Sequence, residues 1–524
     1  MEKDRDSKIP YRQLIFDQGV VTEEIVNHQY RGTGTIEDPY LVNWIANDPR
    51  NPKEFSAFSR WAYTALMALA TLEVSLASSA YTGGELEVMK EFQISSEVAN
   101  LGVSVFLLGF AIGPLFWAPM SELYGRQILF FVSFSGFTIL SAAIPGSKNP
   151  WSLIILRFLA ACFGSSLLTN AGGVIADMFS ATERCLAMSL FANAAFCGPV
   201  LGPIIGGFLG MNAGWRWVMG LLAAVSGVLF ITCCLLVPET YMPILLQRRA
   251  RRLSKISGKV YRSEFEVQQG KISAKIAFKT VLCRPFILLL CEPIVLLLSI
   301  YIATIYGTLY MMFGAFQIVF QDERQWNQGL SGLALLGLLV GVLCALGFTI
   351  FDNKRYTKIQ EMHNGFAPPE ARLLPCLIGA IVLPISLFAF AWTTFQSIHW
   401  IVGIIAIAPF GFGMVILYLS ITNYLIDSYT IFAASALAAN SILRSFIGAA
   451  FPLFTVTMYD NLGVHWASSV PAFLALACAP FPFLISKYGQ SIRKKCKHAA
   501  DSEALIRKFP EQTPLQISHA NEST

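Results

Sequence analysis

The chain has 524 residues, 55% of them hydrophobic and 14% charged, with a mean hydropathy of +0.55. A soluble globular domain carries roughly 25% charged residues, so the composition excludes a water-soluble protein and points to a bilayer. The formal net charge of +5 comes from basic residues bordering apolar runs, which argues against nucleic acid as a partner.

Runs of about 18 or more mostly uncharged residues qualify as spanning helices. Twelve occur, centred near residues 69, 107, 136, 161, 197, 227, 299, 340, 383, 411, 444 and 476. The expected fold is an all-α membrane protein of twelve transmembrane helices in two six-helix, pseudo-symmetric halves. The segments read as a leader (1–58), a first half (59–238), a basic loop (239–284), a second half (285–487) and a tail (488–524). Six plus six around a long loop is the layout of secondary transporters.

The leader opens "MEKDRDSKIPYRQLIFDQ". It is polar and lacks the apolar core of a cleavable signal, so the N-terminus is expected in the cytoplasm. The positive-inside rule agrees. It places "QRRARRLSKISGK" of the central loop and "KYGQSIRKKCK" of the tail inside, and the acidic "YTGGELEVMKEFQISSE" outside. The first span, "YTALMALATLEVSLASSAY", holds a lone carboxylate, Glu73. A carboxylate there could carry a proton, hold a cationic group, or simply hydrogen-bond to a neighbouring Ser or Thr.

After the second span comes "GPLFWAPMSELYGRQ", residues 113–127. Glu122 and Arg126 are four apart, so on one helix they would share a face and pair. Glu122 would also lie near the positive N-terminus of the next helix, while Gly113 and Gly125 allow close backbone approach. The stretch resembles the inner-loop signature of the major facilitator superfamily, G-x-L-x-D-R-x-G-R-[KR]. Here Glu122 stands for the Asp, Leu123 for the first Arg and Gln127 for the final basic residue. The form P-x-S-E-x-Y-G-R is similar to that of fungal drug:proton antiporters with twelve spans. The resemblance implies the major facilitator fold, and a conformational latch at Gly113, Glu122, Gly125 and Arg126 that holds the two halves together.

The fourth span carries Arg157 in an apolar run. Such an Arg either faces the bundle interior or snorkels to the interface near Trp151. It matches the fourth-span Arg that the family links to proton transfer. Asp177 and Arg184 are expected to pair across the next inner loop.

The fifth span contains "GPVLGPIIGGFLG". Gly198, Gly202 and Gly206 recur every four residues and make one small-residue stripe, which lets another helix approach closely. Pro199 and Pro203 each remove a main-chain hydrogen bond and are expected to bend the helix. Spacing says no more than close packing. The run of Gly198, Pro199, Gly202, Pro203, Gly206 and Gly207 resembles the antiporter motif G-x-x-x-G-P-x-x-G-G of exporters in the superfamily, which implies outward transport.

In the seventh span, "CEPIVLLLSIYIATIYGTLYMMFGAF", Glu292 is expected about two turns inside the inner end. Tyr301, Tyr306 and Tyr310 offer aromatic faces with polar tips for an amphipathic ligand, or for bundle packing. Residues 423–454 place Asn423, Asp427, Asn440 and Arg444 at the tenth and eleventh spans. Both blocks resemble the fungal antiporter branch that handles polyamines and diverse drugs, and that resemblance covers residues 44–495.

No phosphate loop, metal-spaced His pair or nucleophile elbow is present, so neither an enzyme nor a nucleotide-driven pump is expected. Eleven cysteines lie in spans or on the inner side without metal spacing, implying no disulfide framework, metal or cofactor. The expected function is proton-coupled efflux of a lipophilic or amphipathic small molecule, such as a secondary metabolite, toxin or drug. A polyamine exporter of the same fold and a non-transporting nutrient sensor are the alternatives. A polyamine carrier wants several cavity carboxylates, and only Glu73 and Glu292 are on offer. Expected candidates for proton coupling or the substrate cavity are Glu73, Arg157, Glu292, Tyr301, Tyr306, Asn440 and Arg444. The expected partners are the small molecule, protons and the lipid bilayer, with a monomer in the plasma membrane because "ISHANEST" holds no retention signal.

Overall fold

The computed structural model describes residues 9–46, 48–269, 274–363, 367–500 and 502. Those residues are helical apart from connections and one two-stranded sheet. Eleven helical segments are long and apolar enough to cross a membrane, and the last, Ala433–Lys495, contains two spans. Gly463 interrupts it with φ +73° and ψ 162°, outside helical geometry. Twelve spans result, and each predicted centre falls within one of them.

We label them in chain order: α1 (Ala57–Ser79), α2 (Ser96–Tyr124), α3 (Arg126–Ala143), α4 (Pro150–Met178), α5 (Ala181–Ala213), α6 (Trp215–Leu236), α7 (Pro293–Gln317), α8 (Leu336–Met362), α9 (Leu374–Thr393), α10 (Trp400–Ser428), α11 (433–462) and α12 (464–495). Local chemistry marks their ends. Ser56 accepts a hydrogen bond from the Ser59 amide at the start of α1, and Asn149 from the Ser152 amide ahead of α4, whose first residue is Pro150. Gly125 joins α2 to α3 with φ +96° and ψ 163°, and Gly214 joins α5 to α6 with φ +93° and ψ 161°. Both conformations belong essentially to glycine, so each is a one-residue reversal between spans.

Within the halves, α1 packs along α5, α2 along α4, α7 along α11 and α9 along α10; the halves meet through α2 with α11 and α5 with α8. The apolar window of α7 is 83% buried and that of α6 only 33%, which makes α7 central and α6 peripheral. Val225, Val228, Ile231 and Leu235 of α6 form an exposed apolar face suited to lipid. Because the number of spans is even, the segments before α1 and after α12 share one face, the terminal face.

On that face the leader and the central loop form one packed unit rather than two solvated segments. Strand β1 (Tyr40–Val42) pairs in parallel with β2 (Tyr261–Ser263). The loop helix Met242–Ser257 buries Leu246, Ala250 and Leu253 against Ile25 and Val42. Its Arg249, part of the run expected to be a basic inner-face signal, is 2% exposed on its side chain and pairs with Asp48 at 2.5 and 3.2 Å. Arg50 donates to the Glu239 carbonyl at 3.0 Å, and burial, ahead of the charges around it, pulls its guanidinium down to about 10. Removing one partner of a buried ion pair costs about 3–5 kcal/mol. Asp48→Ala is therefore expected to loosen this clasp and expose the leader to trypsin in limited proteolysis; a leader as resistant as in the unaltered protein would deny the clasp its stabilising role.

Candidate functional site

The turn after α2 differs from its expected geometry. Gly125 ends α2, so Glu122 and Arg126 lie on different helices and do not share a face. Arg126 instead donates to Ser121 Oγ at 2.5 Å, lies 3.6 Å from Asp177 at the end of α4 and stacks over the Tyr241 ring at 4.9 Å. Glu122 contributes to the field on Arg126 together with Asp177 and Glu239. Asp177 thus takes Arg126, not the expected Arg184, as its ion-pair partner.

Glu239, which follows α6 in "VPETY", supplies what Glu122 was expected to supply. It accepts the amides of Arg126 and Gln127 at 3.0 and 3.1 Å and so caps α3, where a carboxylate is favoured by the helix dipole. A Cβ at Gly125 would come within 2.4 Å of Glu239 Oε2, a second reason for glycine there. Gln127, the departure from the basic signature position, is 5% exposed and donates to the carbonyls of Ile15 and Val237 while accepting from Gln18. It fastens the leader to the turn. Gly113 lies deeper, where a Cβ would come within 1.9 Å of Ser165 Oγ on α4.

The glycine stripe of α5 faces α1. A Cβ at Gly198 would meet the Leu72 carbonyl at 2.6 Å, one at Gly202 the Ala80 amide nitrogen at 2.7 Å, and one at Gly206 the Ala80 carbonyl at 2.2 Å. Helix α5 remains one continuous helix through Pro199 and Pro203. In a helix the amide of residue 203 would bond the carbonyl of residue 199, and Pro203 has none. Ser79 of α1 fills the gap, donating its hydroxyl to the Pro199 carbonyl at 2.7 Å. Gly207 and the Pro203 carbonyl turn the other way and meet the short helix Gln328–Leu333 that precedes α8, with Cβ approaches of 2.7 Å to Gln328 and from Gly332 respectively. One motif therefore joins α5 both to its own half and to the other.

Arg157 faces the interior and does not snorkel. It is 1% exposed and donates to the carbonyls of Gly102 at 2.8 Å, Ser78 at 3.1 Å and Ala77 at 3.3 Å. Tyr81 and Phe106 cover its guanidinium at 4.5 and 4.9 Å, and the buried Glu85 lies nearby.

A hydrogen-bonded path crosses from this Arg into the second half. Ser78, whose carbonyl holds Arg157, accepts from or donates to the Tyr310 hydroxyl at 2.7 Å. Tyr306 donates to Tyr310 at 3.5 Å, and its ring lies 4.6 Å from the guanidinium of Arg444 on α11. Gly448 makes room for that ring, since a Cβ there would approach Tyr306 within 2.9 Å. Tyr418 of α10 lies 5.3 Å from Arg444 and meets Phe196 of α5 edge-on at 5.0 Å. Beyond the path, Gln317 of α7 donates to the Thr82 carbonyl at 3.0 Å, so contacts between the halves extend toward the face opposite the termini.

Other expected residues fall elsewhere. Tyr301 is fully buried beside Cys376 and Cys478, away from Tyr306 and Tyr310. Glu292 is not two turns inside a span but occupies the N-cap position of α7 on the terminal face. There it accepts from Tyr429 at 3.1 Å and from the backbone amide of His498 at 3.0 Å, with the His498 ring nitrogen also 3.0 Å away. Burial, then the contact with Glu292, pushes the neighbouring Cys496 thiol up to about 12. Glu292 thus anchors the tail. Asn440 is 4% exposed on the Arg444 face of α11, and its amide nitrogen has no acceptor among the described residues. Glu73 is 3% exposed, and neither carboxyl oxygen has a hydrogen-bond partner among the described residues. It sits one turn before Ala77, whose carbonyl holds Arg157.

Sequence reasoning missed Ser78, Ser79, Glu85, Tyr418 and Glu239. Glu239 alone had a local signal, a carboxylate directly after the proline that ends a span. Among the described residues no group of three or more His, Cys, Asp or Glu is disposed to hold a metal ion.

With this geometry in view, the comparisons with known proteins fall on one kind of molecule. A family model described as Major Facilitator Superfamily matches residues 55–452. The multidrug transporter mdrA of Aspergillus fumigatus is 62% identical over 524 residues, covering 100% of this chain and 86% of the relative. The efflux pump FUBT of Fusarium oxysporum is 50% identical over 489 residues, 93% of this chain and 82% of the relative. The major facilitator-type transporter sorT of Penicillium rubens is 49% identical over 495 residues, 94% of each. Among solved structures, the proton:xylose symporter XylE aligns with a TM-score of 0.59 at 14% identity, covering 83% of this chain and 96% of that one, a likeness of fold.

Proposed function

Since the chain belongs to the Major Facilitator Superfamily, we propose that it is a proton-coupled antiporter exporting a lipophilic or amphipathic small molecule, a secondary metabolite, toxin or drug. The observation that carries this reading is the buried path from Arg157 through Ser78, Tyr310 and Tyr306 to Arg444. It ties charged groups of both halves to one set of contacts that must break and re-form when the halves rock, which is how alternating access works in this class. The names of similar proteins, multidrug transporter and efflux pump, support outward transport.

The terminal face is assigned to the cytoplasm and the protein to the plasma membrane as a monomer. The basic exposed residues Arg251, Arg252 and Lys255 of the loop helix support that sidedness. Cargo enters between the halves from the cytoplasmic side or inner leaflet. Protonation from outside then resets the carrier.

We assign the proton to Glu73, whose oxygens are without partners among the described residues while Glu292 is committed to the tail. Glu73→Gln keeps shape and removes the titratable group. Coupling between two sites typically spans about 5–150-fold. The variant is expected to reach the membrane normally and to lose gradient-driven export of Nile red from loaded cells by a factor in that range. Export equal to that of the unaltered protein would remove Glu73 from coupling.

A further inference from the structure

The two interior arginines are held differently. Arg157 spends its donors on three carbonyls, with Glu85 nearby. The groups acting on Arg444 are Tyr418, Tyr306 and Tyr310, all neutral, and its Nε has no hydrogen-bond partner among the described residues. Arg444 is the twelfth residue of α11 (433–462), about 17 Å along the helix at 1.5 Å per residue, so it lies near the middle of the membrane. A cation there is expensive and marks a substrate or ion pathway. One helical turn earlier, on the same face, Asn440 is 4% exposed and its amide nitrogen has no acceptor among the described residues. Two donors a turn apart, one of them charged, call for an acceptor with two oxygens. A guanidinium is suited to carboxylate geometry. The rings of Tyr306 and Tyr418, at 4.6 and 5.3 Å from the guanidinium, and Phe196 behind Tyr418, would cover the flat apolar part of such a molecule.

We propose that Arg444 and Asn440 form a carboxylate-binding subsite, so that amphipathic organic anions, aromatic acids foremost, are the preferred cargo, with neutral amphipathic molecules carried without that added contact. This rests on the export reading and narrows it. It also explains why a polyamine suits the site poorly: the cargo would meet a cation where it needs carboxylates. Tyr306 and Tyr418 position the guanidinium, and the cargo carboxylate replaces the counter-ion that the described residues do not supply.

The test uses the purified full-length protein in detergent and two probes of equal shape at neutral pH, 1-naphthoate and the uncharged 1-naphthamide, with dissociation constants read by equilibrium dialysis. Losing a hydrogen bond to a charged group corresponds to about tenfold or more in affinity. The unaltered protein is expected to bind naphthoate at least about tenfold more tightly than naphthamide. Arg444→Gln should abolish that preference, and Arg444→Lys should restore part of it. The proposal is overturned if the unaltered protein binds the two probes equally, or if Arg444→Gln keeps the preference. It is also overturned if Arg444→Gln weakens both probes alike, which would make Arg444 a packing residue. Gradient-driven export of the neutral dye Nile red, measured in parallel, separates the two levels. If it persists while the naphthoate preference is missing, only the anion subsite falls. If it too is missing from the unaltered protein, the export reading falls with it.

Discussion

Gly202→Val is expected to eliminate gradient-driven export and to reduce the amount of protein at the cell surface. A Cβ at Gly202 would lie 2.0 Å from Ser79 Oγ, 2.7 Å from the Ala80 amide nitrogen and 2.9 Å from the Leu76 carbonyl. The serine can rotate away, but then the Pro199 carbonyl loses the only hydrogen-bond donor the described residues give it through a side chain. A buried carbonyl left unsatisfied costs about 1–3 kcal/mol. The two backbone contacts cannot rotate away, so α1 and α5 must separate. Overpacking of this kind costs about 1–3 kcal/mol further. The separation also shifts the Pro203–Gly207 face that meets the helix Gln328–Leu333 ahead of α8, so the defect reaches the contact between the halves. The matched control is Gly220→Val on α6, where an added Cβ meets nothing within 4 Å; a change within about 0.5 kcal/mol and normal export are expected there. Surface abundance and Nile red export read both variants. A Gly202→Val protein that reaches the membrane and exports normally would mean the close α1–α5 contact is not needed for transport.

Arg157→Ala is the second substitution with a large expected effect. It strips the donors from the carbonyls of Gly102, Ser78 and Ala77 and leaves Glu85 without its nearby cation. Removing one member of a buried charged group costs about 3–5 kcal/mol, and the loss should appear as a lower melting temperature in detergent together with loss of export. Arg157→Lys separates structure from transport. An ammonium keeps the charge, but it cannot present the guanidinium's fixed fork to carbonyls on α1 and α2 together. It is expected to fold and to export at least about tenfold less. Export by Arg157→Lys at the full rate would reduce the residue to a source of charge.

The number of spans and the pairing of α5 with another helix were legible in the sequence, because apolar length and four-residue spacing are local properties, whereas for Arg157 the sequence left the interior and the interface both open. The partners were not. That the stripe of Gly198, Gly202 and Gly206 meets α1 depends on residues more than a hundred positions away, and the hydroxyl that replaces the missing amide of Pro203 comes from Ser79. Four-residue spacing misled at Glu122 and Arg126, since Gly125 between them takes a positive φ and starts a new helix. Glu292 was misplaced for a similar reason. Pro293 starts α7 one residue later, so the carboxylate precedes the helix and meets the tail. Charge counting read "QRRARRLSKISGK" only as a basic marker of the inner side, whereas the i, i+4 and i+7 positions Leu246, Ala250 and Leu253 build an apolar face that carries Arg249 inward to Asp48. A short polar leader gives no composition signal for such a fold, because its core is borrowed from the loop.

The most direct test of proton-driven export compares Nile red retained by energised cells that carry the full-length protein with cells that lack it, with the proton gradient intact or collapsed by a protonophore. The expected result is a protein-dependent loss of dye that disappears when the gradient is collapsed and is weakened by Glu73→Gln. Equal retention in the two cell types, or protein-dependent loss that continues unchanged without the gradient, would contradict it.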